Sequence, residues 1–123
     1  PTSLNFLLKK SDIISIHTPL NKSTIGLINN NNLKLLKPNS SLINTARGGI
    51  INEDDLYNFL KKNKFNSASD VFVNEPNINT KLLKLKNFFA TPHIAGSTKE
   101  SILKMGTSAI RGLNINTVPS EDL

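Results

Sequence analysis

The sequence predicts an α/β fold built on a parallel sheet, and three observations carry the prediction. Short apolar, β-branched or aromatic runs (DIISIH at 12–17, LI at 42–43, FFA at 88–90) alternate with stretches in which leucines recur at helical spacing. The strand-like runs are nearly continuous in apolar character, as strands buried on both faces are. Each is closed by proline or polar residues, so strand and helix follow one another in the order that parallel sheets with helices on both faces require.

Leu4, Leu7 and Leu8 with Lys9 and Lys10 predict a first helix that ends on its basic residues, so the chain is expected to begin inside a helix separated from an upstream strand. Residues 12–17 predict a strand ended by Thr18 and Pro19. Ser23 or Thr24 caps a turn, and 33–37 (LKLLK) shows a brief helical pattern that Pro38 stops. The asparagine run 29–32 reads as compositional ornament on a folded frame. After Asn39, a residue that tolerates the left-handed conformation, a buried strand runs to Asn44 and Thr45. Gly48 and Gly49 then permit a tight turn and a close approach of backbone to a ligand. Asn52 caps a helix with acids at its start, an inward stripe of Leu56, Phe59 and Leu60, and closure at Lys61, Lys62 and Asn63. Residues 68–73 (ASDVFV) predict the next strand. Leu82, Leu83 and Leu85 pack a loop or short helix, 88–90 form the last strand, and Ser97 or Thr98 caps a helix that runs to about Gly112.

At 123 residues with 37% hydrophobic content the chain suffices for one domain with a modest core. It contains no cysteine, and its two histidines are far apart, so no metal site is expected. The net charge of +6 comes from lysines scattered over helical stretches, the pattern of solvated faces; aromatics are few, and no nucleic-acid partner is expected. No apolar run is long enough to span a membrane and no leader pattern is present, so the expectation is a cytoplasmic protein.

Arg47 stands at a strand end, where a guanidinium fork can grip a carboxylate and where ligands collect in open α/β sheets. Around it, NTARGGII (44–51), SDVFVNEP (69–76) and TPHIAGSTKES (91–101) resemble the signature segments of the D-isomer-specific 2-hydroxyacid dehydrogenases, in the family's order and at nearly its spacing. The resemblance covers about 4–112, and HIAGSTKE is most similar to the phosphoglycerate dehydrogenase branch. It implies a partial Rossmann-type three-layer domain in residues 1–113, lacking the glycine-rich first βαβ unit, followed by a polar tail at 114–123. No G-x-G-x-x-G loop occurs anywhere in the sequence. Asn39 replaces the family's usual glycine, Asn52 its usual aspartate, and Ser69 a usual apolar residue, with the approach to Asp70 one residue short.

The resemblance further implies NAD as cofactor, with NADP left open because the acid that reads the ribose follows the missing loop. It assigns catalysis to three residues. His93 is the acid/base, a role suited to imidazole near neutral pH; Glu75 holds the ring and favours its charged form; Arg47 anchors the substrate carboxylate. Thr18, Pro19, Thr45, Ala46, Arg47, Asp70, His93, Ala95 and Gly96 are the implied cofactor contacts. Read without it, the HTPL corner is a strand-ending turn and Gly96 a turn before a helix. The implied activity is oxidation of a small 2-hydroxy acid to a 2-oxo acid by a longer, homodimeric protein, with 3-phosphoglycerate and serine biosynthesis the branch expectation. Two other readings use the same residues: a non-catalytic interaction module like the C-terminal-binding-protein co-repressors, and an inactive gene fragment.

Overall fold

The computed structural model describes residues 2–62 and 65–115, with side chains described as far as 112. Two compact units emerge, one of residues 1–93 and one from 94 onward. The elements of the first are helix α1 (Leu4–Lys10), strand β1 (Ile13–Ile16), helix α2 (Asn30–Leu33), strand β2 (Ser41–Asn44), helix α3 (Glu53–Lys62), strand β3 (Asn66–Ser69), helix α4 (Thr80–Leu83) and strand β4 (Phe88–Ala90). The second contains helix α5 (Lys99–Ile115).

The four strands form one parallel sheet in the order β1-β2-β3-β4, with Ile14, Leu42, Ser67 and Phe88 in one row across it. Consecutive parallel strands joined by crossovers of one hand carry every connecting helix on the same face. Accordingly Leu8, Leu33, Leu56, Leu60 and Leu82 all enter a single core with Ile14, Ile16, Leu42 and Phe88. Five of its leucines (8, 33, 42, 56 and 82) are 1% exposed or less, each contributing about 1.5–3 kcal/mol by burial. Residues 1–93 thus supply two of the three expected layers. On the sheet's other face Ile13, Ser15 and Phe89 are exposed.

Local physics explains the element boundaries. Ser3 caps α1, its Oγ accepting from the Phe6 N–H at 3.3 Å, and Lys9 and Lys10 close it. The expected helix at 33–37 lies earlier, over Asn30–Leu33, because the asparagine run is a capping device and not ornament. Asn29 Oδ1 accepts from the Asn31 N–H at 2.9 Å, and the half-turn is completed by Asn32 Oδ1, which accepts from the Asn29 N–H at 2.9 Å. Asn39 adopts the left-handed conformation with φ 63°, as expected. Asn52 caps α3, accepting from the Asp55 N–H at 3.0 Å, while Leu56 and Leu60 are buried and Phe59 is half-buried. The expected closure of α3 at Asn63 lies outside the described residues.

The strand expected at 68–73 is displaced to Asn66–Ser69, so Asp70 follows the strand instead of lying within it. Pairing with β2 on one side and β4 on the other overrides the weak strand preference of NSAS. The inward Ser67 is satisfied because its Oγ donates to the Leu42 carbonyl at 2.9 Å. Val71 and Phe72, the apolar pair that suggested a strand, leave the ladder but remain buried. In the second unit Thr98 caps α5, accepting from the Ser101 N–H at 3.1 Å, and the helix extends three residues past the expected end at Gly112. The expected tail at 114–123 lies outside the described residues apart from the last residues of α5.

Candidate active site

Three strand ends build the site. At the carboxyl end of β2 the buried Asn44 fixes the turn that presents Arg47: its Oδ1 accepts from the Ala46 N–H at 3.1 Å, and its Nδ2 donates to the Arg47 carbonyl at 2.9 Å. The Asn44 carbonyl also accepts from the Asp70 N–H at 3.0 Å, tying the end of β2 to the end of β3. In the sequence Asn44 reads only as a strand stop. The available signal was an amide side chain closing a buried strand, a position that demands partners. The exposed Arg47 guanidinium donates from Nη1 to the Ala46 carbonyl at 2.6 Å, which holds the fork beside the turn with its remaining donors available to an anion.

The two glycines after Arg47 serve different ends. Gly49 has φ 85°, the left-handed region, which the turn requires. Gly48 is needed for contact: a Cβ there would lie 2.0 Å from the Phe72 carbonyl oxygen. The close approach foreseen for a ligand is therefore made by the chain's own 72–73 backbone. Gly48→Ala is expected to push this loop away and to destabilise the fold by about 1–3 kcal/mol, as overpacking against backbone does; urea denaturation of the two proteins checks it, and equal midpoints would refute the contact.

The 72–75 segment carries Glu75 and β4 leads to His93. Glu75 Oε2 lies 2.7 Å from His93 Nδ1, and Glu75 Oε1 accepts from the Phe72 N–H at 2.7 Å. The hydrogen bond to His93, then that from Phe72, holds the Glu75 carboxyl below its ordinary range. An ionised Glu75 can only accept, so Nδ1 carries the hydrogen and Nε2 is the nitrogen left to exchange a proton. His93 has φ 53°, a left-handed conformation uncommon for a side-chain-bearing residue. Arg47, Gly48, Val71, Phe72, Glu75, His93 and Leu20 line one cavity of about 280 Å³, so the three predicted catalytic residues share a space.

Arg47 is also a wall of a second, open groove of about 640 Å³, lined by His17, Thr18, Pro19, Leu20, Thr45 and Ala46. Thr18, one of the lining residues, has a buried Oγ1 with no hydrogen-bond partner among the described residues. An orphaned hydroxyl beside a guanidinium fits the polar nicotinamide and ribose end of a dinucleotide. Asp70 is 3% exposed, and Thr91 Oγ1 donates to its carboxylate. Thr91 opens the TPHIAGSTKES segment, where the sequence assigns it no role of its own. Ala95 and Gly96 lie in the second unit, in a turn closed by the Ser97 N–H donating to the Ile94 carbonyl at 2.9 Å, ahead of α5. Among the described residues no cluster of three or more His, Cys, Asp or Glu has the arrangement of a metal site, and no helix is long and apolar enough to cross a membrane.

Comparison with known proteins agrees with this fold. Residues 1–95 match the family described as D-isomer specific 2-hydroxyacid dehydrogenase, NAD binding domain. The chain is 47% identical over 96 residues to a glyoxylate reductase of Thermococcus litoralis, covering 77% of this chain and 29% of that protein. It is 44% identical over 102 residues to a D-3-phosphoglycerate dehydrogenase of Archaeoglobus fulgidus, covering 81% and 19%. Among solved structures, D-lactate dehydrogenase from Aquifex aeolicus complexed with NAD and lactic acid superposes with a TM-score of 0.78 at 34% identity, over 92% of this chain and 39% of that one. The chain thus spans well under half the length of these relatives. The matched sequence, the parallel sheet and the cluster at its strand ends lead to one statement: this chain belongs to the NAD-binding-domain family of the D-isomer-specific 2-hydroxyacid dehydrogenases, with NAD as its cofactor.

Proposed function

We propose that residues 1–113 are the C-terminal part of the NAD-binding domain of a longer dehydrogenase, with 114–123 a polar tail. The whole protein oxidises a D-2-hydroxy acid to the 2-oxo acid and runs the reverse reduction. The observation that carries this reading is the 2.7 Å contact between Glu75 and His93 in the cavity that Arg47 also lines.

Bound NAD supplies the hydride acceptor, and NADH the donor in reverse. The chain's own groups do the rest. Arg47 grips the substrate carboxylate and steadies charge on the reacting oxygen. His93 Nε2 takes the hydroxyl proton as the carbon loses its hydride, and returns that proton during reduction. Glu75 fixes the ring through Nδ1 and balances the imidazolium formed when the proton arrives. Thr18, Pro19, Thr45 and Ala46 would hold the nicotinamide end and Asp70 its carboxamide, with Ala95 and Gly96 offering backbone contacts. The substrate is a small 2-hydroxy or 2-oxo acid, with 3-phosphoglycerate, and hence serine biosynthesis, favoured by the HIAGSTKE segment. A cytoplasmic homodimer with neither nucleic-acid nor membrane partners completes the reading.

The test is NAD reduction by the whole protein with paired D and L isomers of lactate, glycerate and 3-phosphoglycerate. Turnover of a D isomer is expected; no turnover, or preference for the L isomers, overturns the reading. The 123-residue chain alone should show no turnover and only weak NAD binding by calorimetry, because pyrophosphate docks at a glycine-rich helix start that this sequence does not contain. Micromolar affinity would contradict this division of the site.

A further inference from the structure

The loop that carries Glu75 poses a mechanical problem. Val71 and Phe72 are buried, but residues 73–77 are all exposed, so side-chain packing anchors only the loop's beginning. A general base held to tenths of an ångström requires a rigid support. That support comes from the start of α3. Its three first-turn acids would ordinarily be assigned to the helix dipole alone. They behave differently: Asp55 Oδ2 accepts from the Asn30 N–H at 2.9 Å, whereas Glu53 Oε1 reaches across 20 positions of sequence to accept from the Val73 N–H at 2.8 Å. The neighbouring Phe72 N–H is the donor to Glu75 Oε1. Two consecutive backbone amides thus face two carboxylates, one on a helix anchored by the buried Leu56 and Leu60, the other on the acid/base pair.

We propose that Glu53 is a positioning residue, whose side chain pins the Val73 amide to α3 and thereby holds Glu75 at the distance that orients His93. Burial, its largest influence, pushes the Glu53 carboxyl above its ordinary range, while the Val73 hydrogen bond pulls the other way and Asp54 and Glu75 add repulsion. A carboxylate kept in so unfavourable a place is consistent with a positional demand. The inference rests on the dehydrogenase reading for its kinetic consequence and on geometry alone for its structural one.

The test uses the whole protein carrying Glu53→Ala, Glu53→Gln and Glu53→Asp. The alanine variant loses the bond; glutamine keeps an acceptor oxygen at the same reach without charge; aspartate keeps the charge one methylene short. Alanine and aspartate should lower kcat by about 10- to 100-fold with KM for NAD changed less than about threefold, and glutamine should recover most of the loss. Nitrogen NMR of His93 should show the Nδ1 hydrogen bond weakened in the alanine and aspartate variants and kept in the glutamine one. If alanine fails to fold, the glutamine and aspartate pair decides. Wild-type kinetics and unchanged imidazole signals in the aspartate variant overturn the proposal, as does loss in glutamine with retention in aspartate, which would make charge the operative property. Wild-type protein without turnover would instead refute the dehydrogenase reading, and the imidazole signals would still decide the role of Glu53.

Discussion

Arg47→Lys in the whole protein is expected to lower kcat/KM for the hydroxy acid by roughly 30- to 1000-fold, about 2–4 kcal/mol of transition-state stabilisation. The positive charge survives, so the loss measures geometry. Guanidinium presents parallel donors that match a carboxylate, while ammonium is a compact point charge on a flexible stem. The structure adds a second reason. Nη1 is held by the Ala46 carbonyl at 2.6 Å, so the fork is oriented before a ligand arrives. Lysine has a single nitrogen for both tasks. Steady-state kinetics with a D-2-hydroxy acid checks the prediction, with NAD affinity followed separately because Arg47 also walls the neighbouring groove. An unchanged kcat/KM would remove Arg47 from the substrate site.

Glu75→Gln should cost on the order of 100-fold in kcat/KM at neutral pH. The amide nearly preserves shape but cannot balance an imidazolium, and it can rotate to donate its NH2 to Nδ1, selecting the wrong tautomer. At a given pH the loss must be equal in oxidation and reduction when cofactor affinities are unchanged, because no variant alters the reaction's equilibrium constant. The pH dependence follows from the carboxyl itself. Its folded-state value is depressed below the ordinary 4.5, first by the hydrogen bond to His93 and second by that from Phe72. A depressed carboxyl is fully effective above its ordinary value and loses its effect as pH falls through the lowered one. The part of the wild-type advantage over Glu75→Gln that comes from the carboxylate's charge is therefore expected to shrink as pH falls below 4.5. Paired pH profiles test the rate ratio, and carboxyl NMR of Glu75 tests the midpoint directly. A ratio indifferent to acid, or a midpoint at or above 4.5, would mean that Glu75 does not act through its charge.

How much of this was legible in advance varied with the physical origin of each feature. Apolar runs and caps are local, so β1, β2 and β4, the capping by Asn52 and Thr98, and the left-handed Asn39 could all be read from neighbouring residues. The motifs also named Arg47, Glu75 and His93, which the fold gathers around one cavity. β3 was misplaced because its sequence, NSAS, has little strand preference; two flanking strands impose the ladder, and Leu42 satisfies Ser67 from the next strand. The asparagine run looked like ornament because a capping box shows itself only when the side chains are seen to face the backbone amides.

By itself, the sequence determined the α/β class, the family and the three candidate reacting groups, since periodicity and motif spacing are properties of the chain in one dimension. Only the tertiary structure decided how those groups are held. Gly48 is a glycine because the Phe72 carbonyl crosses over it, Asn44 binds the turn of Arg47, Thr91 meets Asp70, and Glu53 meets Val73. Each of the last three is a side chain seeking partners for its polar atoms. Except in the turn of Arg47, which Asn44 closes locally, those partners come from segments about 20 residues or more away, brought within hydrogen-bonding distance when parallel strands place their carboxyl ends side by side.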